Sequence, residues 1–105
     1  MINTMHGHRT AELRSLEYHR IVAERLDEPL LAEARARVEA WIAEGGPVHP
    51  AYARRWKAVL DRSTPEIASI LLTDDEASRD LRQNTPFAGA LSPSERWRIL
   101  REVHD

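Results

Sequence analysis

The sequence has no cysteine, four glycines and a single lysine, Lys57, among its fifteen basic residues. Without cysteine the chain has no disulfide, no thiolate nucleophile and no thiolate metal ligand, which is typical of a cytoplasmic protein. The glycines are too scattered to form a loop that binds phosphate groups. These absences favour a function that does not rest on cysteine or nucleotide chemistry.

Long hydrophobic runs and strand patterns are also missing. No apolar run approaches the roughly 20 residues that a membrane-spanning helix needs. The N-terminus lacks the apolar segment of a signal peptide. No segment alternates apolar and polar residues over several positions, and no Asn-Gly or Asp-Gly pair marks a hairpin. We therefore expect no membrane association and no β-sheet.

The bulk composition is that of one small globular domain. The chain has 105 residues, 42% hydrophobic and 30% charged residues, and a net charge of −2. One domain is the default at this length, and the net charge argues against a domain built mainly for nucleic acid. Fourteen of the fifteen basic residues are arginine. A GC-rich bacterial genome explains this bias, and use of arginine in interfaces is the alternative.

The apolar residues recur at helical spacing through most of the chain. The pattern predicts a first helix from about Thr10 to Leu26, in which Tyr18, Val22 and Leu26 form one row. The predicted segments are a flexible tail over residues 1–9 and one helical domain over residues 10–105. A second helix runs to about residue 43, with an ion pair between Glu33 and Arg37.

Local end signals place the remaining helices. Asp27 and Gly45 or Gly46 delimit the second helix, and His49 precedes the third, predicted over residues 50–60. Capping boxes are predicted at residues 63–66, 73–76 and 92–95, each opening a shorter helix. The sequence thus predicts an all-α fold: a compact bundle of five or six helices, with two longer N-terminal helices followed by a cluster of short ones.

Residues 84–92, which we call the elbow, connect the last two short helices. Pro86 keeps the preceding residue out of helical backbone, and Gly89 is free to take a positive φ. Phe87 faces either the core or the surface, and the core is the commoner place for a large aromatic side chain. The elbow and its flanking helices are predicted either to display a contact surface or only to pack the fold. The candidate contact residues are Arg79, Arg82, Gln83, Phe87, Arg96 and Trp97.

Several single residues carry specific expectations of burial. Trp97 and Leu100 of the last helix are predicted to face the core. His19 is predicted to be a partly exposed surface residue. Leu30 and Ile99 are predicted to be exposed apolar residues that could seed a homodimer or make only a local contact.

No catalytic or metal-binding set stands out. His6 and His8 have no third ligand beside them, so we expect no metal and no cofactor. Arg14 with His19, and Arg98 with His104, match the Arg–His spacing of all-α RNases of the HEPN type, but about two such matches are expected by chance in so arginine-rich a chain. We expect no enzyme, and keep a HEPN-like RNase as a minor alternative.

A basic run on the third helix raises the question of DNA binding. Arg54, Arg55 and Lys57 lie together, as on a recognition helix. The stiff linker before this helix and the acidic residues Asp74 and Asp75 argue against it. A solvated basic face is the simpler interpretation.

The stretch "LRQNTPFAGALSPSERWRI" resembles a signature of small bacterial antitoxins and antitoxin-like regulators encoded beside toxin genes. Two upstream stretches, "SLEYHRIVAERL" and "ARARVEAWIAEGG", are similar to helical segments of the same group. The similarity covers most of residues 13–101. Some members carry an N-terminal DNA-binding domain, whereas this chain begins with the helical part.

The resemblance implies a cytoplasmic antitoxin that binds a cognate toxin protein, encoded by a neighbouring gene, and blocks its active site. It implies contact with DNA only as part of a complex. The alternative is a non-enzymatic transcription regulator or assembly subunit, in which the helical domain mediates protein interaction or homodimer formation.

Overall fold

The computed structural model describes the backbone of residues 2–104 and the side chains of residues 9–104. The backbone forms six helices over this range and no strand. In chain order the helices are α1 (Ile2–Glu24), α2 (Glu28–Glu44), α3 (Pro50–Leu60), α4 (Thr64–Leu72), α5 (Glu76–Gln83) and α6 (Pro93–Glu102). The radius of gyration of 14.0 Å is close to the roughly 13 Å of a compact 100-residue domain. The predicted all-α bundle, with two longer helices first, is confirmed.

Local capping interactions explain most helix boundaries. The carboxylate of Asp27 accepts a hydrogen bond from the amide of Leu30 at 2.9 Å and starts α2, which ends at Gly45 in the left-handed conformation (φ 74°). The capping boxes predicted at residues 63–66 and 92–95 are both present and open α4 and α6. The imidazole of His49 caps α3 by accepting from the amide of Ala51.

Two predicted boundaries differ from the structure. Helix α1 begins at Ile2 rather than near Thr10. No proline in residues 2–24 opposes a continuous helix. The capping box predicted at residues 73–76 is wrong. Asp75, two residues later, caps α5 by accepting from the amide of Ser78, while the hydroxyl of Thr73 donates to the carbonyl of Ser69 within α4. Thr73 therefore ends α4 instead of starting α5.

The core lies between the helices and around one tryptophan. Helices α2 and α3 pack against each other, and α1 packs against α4, α5 and α6. Trp56 of α3 is fully buried, and its indole N–H donates to the carbonyl of Leu81 at 3.1 Å. The ring of Phe87 meets Trp56 edge-on, with ring centroids 6.0 Å apart. The elbow thus contributes an aromatic side chain to the centre of the bundle, which decides the open question of where Phe87 lies.

Helix α6 turns a different face to the core than predicted. Ile99 is buried, whereas Trp97 is 61% exposed and Leu100 is 44% exposed. The predictions for all three residues are therefore wrong. Helix α6 packs against α1, and the elbow already supplies Phe87 and Leu91 to the core. Only one side of this short helix is then covered.

Leu30 also differs from its prediction, because it is half-buried against the core rather than exposed. Along the described chain no helix is both long enough and apolar enough to cross a membrane.

Candidate functional site

The elbow is fixed to the two long helices by hydrogen bonds to its backbone. The hydroxyl of Tyr18 on α1 donates to the carbonyl of Phe87 at 2.7 Å. The guanidinium of Arg37 on α2 donates to the carbonyls of Pro86 and Ala88 at 2.7 and 2.8 Å. Arg37 is thus engaged with the elbow, and not with Glu33 as predicted. These bonds satisfy carbonyl groups that a turn leaves without helical partners.

His19 lies buried at the junction of α1 and the elbow, so the prediction of a partly exposed surface residue is wrong. Its Nδ1 is 2.7 Å from the carbonyl oxygen of Ser15, and its Nε2 is 2.8 Å from the hydroxyl of Thr85. Because a carbonyl only accepts, Nδ1 carries the proton and donates to Ser15. In the neutral ring Nε2 then accepts from the Thr85 hydroxyl.

Burial holds His19 in this neutral form. Desolvation lowers the pKa of His19 from 6.5 to about 4, the hydrogen bond to Ser15 acts in the opposite direction, and the nearby charge of Arg82 lowers it further. The hydroxyl of Thr85 also accepts from the amide of Phe87 at 3.1 Å. His19 and Thr85 therefore form a structural link between α1 and the elbow.

Arg82 was a candidate for an exposed contact residue, but its side chain is only 2% exposed. One terminal nitrogen donates to the carbonyls of Leu71 and Thr73 at the end of α4, at 3.3 and 2.5 Å. The other lies 3.6 Å from a carboxylate oxygen of Asp74. The buried Nε has no hydrogen-bond partner among the described residues. Desolvation lowers the pKa of Arg82, opposed mainly by the charge of Asp74.

An open groove of about 410 Å³ lies over these buried polar groups, between α1, the elbow and α6. Arg14, Tyr18 and His19 line it from α1, and Ile99 and Leu100 line it from α6. Arg82, Thr85, Ala88, Gly89 and Arg96 complete the lining with Ser15. Of the described side chains that line the groove, three are arginine and none is aspartate or glutamate. The groove thus has a mostly apolar lining, with basic side chains and no carboxylate among its described lining residues.

Arg14 links the groove to the end of α6. Its Nε donates to the carbonyl of Val103 at 2.9 Å, and a terminal nitrogen donates to the carbonyl of Leu100 at 3.0 Å. Carbonyl groups in the last turn of a helix lack helical partners, so the guanidinium caps α6 from another helix. No local sequence pattern marks this role, because Arg14 and Val103 lie 89 residues apart.

The structure brings some of the candidate contact residues together and separates others. Arg79 and Gln83 line a small depression that shares Ser15 and Arg82 with the groove. Gln83 is exposed, and Arg79 is half-buried beside Asp74 at 3.0 Å. Arg96 reaches the groove from α6.

The two aromatic candidates lie apart from this depression. Phe87 is in the core, whereas Trp97 projects into solvent. Among the six candidate contact residues, Gln83, Arg96 and Trp97 present exposed side chains.

The two Arg–His pairs that match the spacing of HEPN-type RNases lie in different environments. Arg14 and His19 share the groove, but each is engaged in hydrogen bonds that hold the fold. Arg98 and His104 are exposed. No group of three His, Asp or Glu side chains in the described chain is placed to hold a metal ion. The side chains of His6 and His8 lie outside the described residues.

No protein-family model, curated protein or solved structure matches this chain.

Proposed function

We propose that this chain is a cytoplasmic, non-enzymatic antitoxin that binds a cognate toxin protein and blocks its active site. The observation that carries the proposal is Trp97, a tryptophan left 61% exposed on the surface of a folded bundle. Tryptophan and arginine are the residues most enriched among those that dominate protein–protein binding energy. The family resemblance, whose signature includes Trp97, supports the same conclusion.

The surroundings of Trp97 suit a protein partner with acidic groups. Residues three and four positions apart lie on the same side of a helix, so Leu100 and Arg101 are neighbours of Trp97. Leu100 is 44% exposed. Arg96 and Arg101 are exposed and make no hydrogen bond or ion pair with other described side chains. We call Arg96, Trp97, Leu100 and Arg101 the α6 surface.

The basic run on α3 gives little support for a direct contact with DNA. Lys57 pairs with Glu39 at 2.6 Å, and the guanidinium of Arg55 lies over the ring of Tyr52 at 5.6 Å. Two of its three basic side chains are thus already engaged with neighbouring helical residues. In our proposal, DNA is contacted only by a complex of antitoxin and toxin.

Co-expression with the adjacent gene tests the proposal. We expect the neighbouring product to arrest growth when produced alone, and this chain to relieve the arrest and to co-purify with it. Trp97→Ala should reduce co-purification about tenfold or more, as expected for a residue that dominates binding. Leu72→Ala is the matched control, because Leu72 is a similarly exposed apolar residue (43%) on another helix.

The proposal is contradicted if the product of the neighbouring gene does not arrest growth. It is also contradicted if this chain neither restores growth nor binds that product. The alternative of an assembly subunit is favoured by the same exposed apolar side chains, which a second copy could cover. The molar mass of the isolated chain, measured by light scattering, distinguishes an antitoxin monomer from a self-associating assembly subunit. A homodimer that Trp97→Ala converts to a monomer would assign the α6 surface to self-association.

A further inference from the structure

The groove between α1, the elbow and α6 has the size and character of a small-molecule site. Its volume of about 410 Å³ lies within the roughly 300–1,000 Å³ of ligand pockets. Tyr18, Ile99 and Leu100 supply apolar surface. Such pockets combine an apolar lining with a few polar groups that orient the ligand.

The charged groups of the groove determine which ligand fits. Arg14, Arg82 and Arg96 line it, and no acidic side chain is among its described lining residues. Thr85 does not add a free donor, because its hydroxyl is bonded to His19. Arg14 and Arg82 already donate to helix carbonyls, so the guanidinium of Arg96 is the group left for recognition. A guanidinium favours carboxylate and phosphate oxygens.

Arg82 gives the strongest indication that an anion belongs there. Its guanidinium is almost completely buried, yet the nearest carboxylate that contacts it, on Asp74, is 3.6 Å away. Its Nε is buried without a hydrogen-bond partner in the described chain. Its other partners are the carbonyls of Leu71 and Thr73, which carry no full charge. A buried charge is costly unless it is well paired, so an anion bound in the groove would add a counter-charge to these bonds.

Arg96 provides the accessible part of the same site. It is exposed near the start of α6, and its guanidinium makes no hydrogen bond or ion pair within the described residues. It is thus free to turn towards a ligand at the mouth of the groove.

We infer that this groove is a binding site for a small organic acid, a monocarboxylate with a compact aliphatic or aromatic body. The body covers the apolar lining, and the carboxylate pairs with the guanidinium of Arg96. The charges of Arg14 and Arg82 lie nearby, although both side chains also donate to helix carbonyls. An inorganic anion would leave the apolar lining open to water, so the ligand needs both parts. The inference goes beyond the proposed antitoxin function and involves only the isolated chain.

Amide NMR of the isolated protein with hexanoate as the probe tests the inference. We expect saturable shifts at Ser15, Ala88 and Gly89, with a Kd of about 1 mM or tighter. Hexanol and hexylamine carry the same apolar body without the negative charge, and they should bind at least about tenfold more weakly.

Arg96→Gln should weaken hexanoate binding roughly fivefold or more, whereas the control Arg101→Gln, on the same helix outside the groove, should leave it unchanged. The inference is overturned if no saturable shift occurs up to about 10 mM, if the three probes bind equally, or if the two variants behave alike. The NMR experiment contains no toxin, so a lack of hexanoate binding would not contradict the proposed toxin binding. Likewise, a failure to rescue growth would not contradict hexanoate binding.

Discussion

The burial of His19 predicts a specific loss of stability in mild acid. The folded state lowers the pKa of His19 from 6.5 to about 4, so the unfolded chain takes up this proton at higher pH than the folded protein does. As the pH falls from about 6.5 towards 4, the unfolded state is favoured progressively. A shift of this size corresponds to a loss of about 3 kcal/mol once both states are protonated.

This loss is a large fraction of the roughly 5–15 kcal/mol that stabilises a small domain. It also has a geometric cause. Protonation places a hydrogen on Nε2, which accepts from the Thr85 hydroxyl at 2.8 Å in the neutral ring. The imidazolium would also lie near the positive charge of Arg82. Both effects weaken the link between α1 and the elbow.

Urea unfolding at a series of pH values between 7.5 and 4.5 measures the effect, with His19→Gln as the reference that does not titrate. We expect the free energy of unfolding of the wild type to fall by about 2 kcal/mol or more relative to this variant across the range. The hydrogen bond from Arg25 lowers the pKa of Glu95 to about 2. The contribution of Glu95 to stability is therefore lost only below pH 4.5, outside the measured range. A constant difference between wild type and variant would refute a buried neutral His19.

Three further substitutions test the packing of the elbow, each by thermal or urea unfolding. Phe87→Ala should destabilise the fold by about 3–5 kcal/mol, since it empties the space beside Trp56, and a loss below about 1 kcal/mol would contradict the central position of this ring. Arg82→Met keeps the apolar length but removes the donors to the end of α4. It should cost about 2 kcal/mol or more, whereas a stabilised variant would show that the buried charge is not compensated by those bonds. Gly89 has a φ of +87° and open space around it, so Gly89→Ala should cost about 1 kcal/mol from backbone strain alone. The control Gly46→Ala, also in open space but without a positive φ, should be close to neutral.

The helices and most of their ends are determined by the sequence itself. Asp27, Ser63 and Ser92 start their helices through bonds to amides three residues later, and Gly45 ends α2 in a conformation that glycine adopts without strain. These interactions involve only a few consecutive residues, so a local pattern contains all the information they need. The position of Phe87 is less local, and the sequence left core and surface both open, although large aromatic side chains are usual at the centre of small cores.

Only the tertiary structure decides which face of a short helix is covered. In α6 the apolar spacing of Trp97 and Leu100 is compatible with a core-facing stripe. The helix packs against α1, and Ile99 is its buried residue instead. The same holds for His19 and Arg82, whose polar side chains suggest exposure. Their partners, Thr85 and the carbonyls that end α4, lie 66 and 9–11 residues away in the chain. A polar side chain can be buried when distant groups form hydrogen bonds with it. Whether those groups lie close enough depends on how the helices pack, and a local sequence pattern does not contain that information.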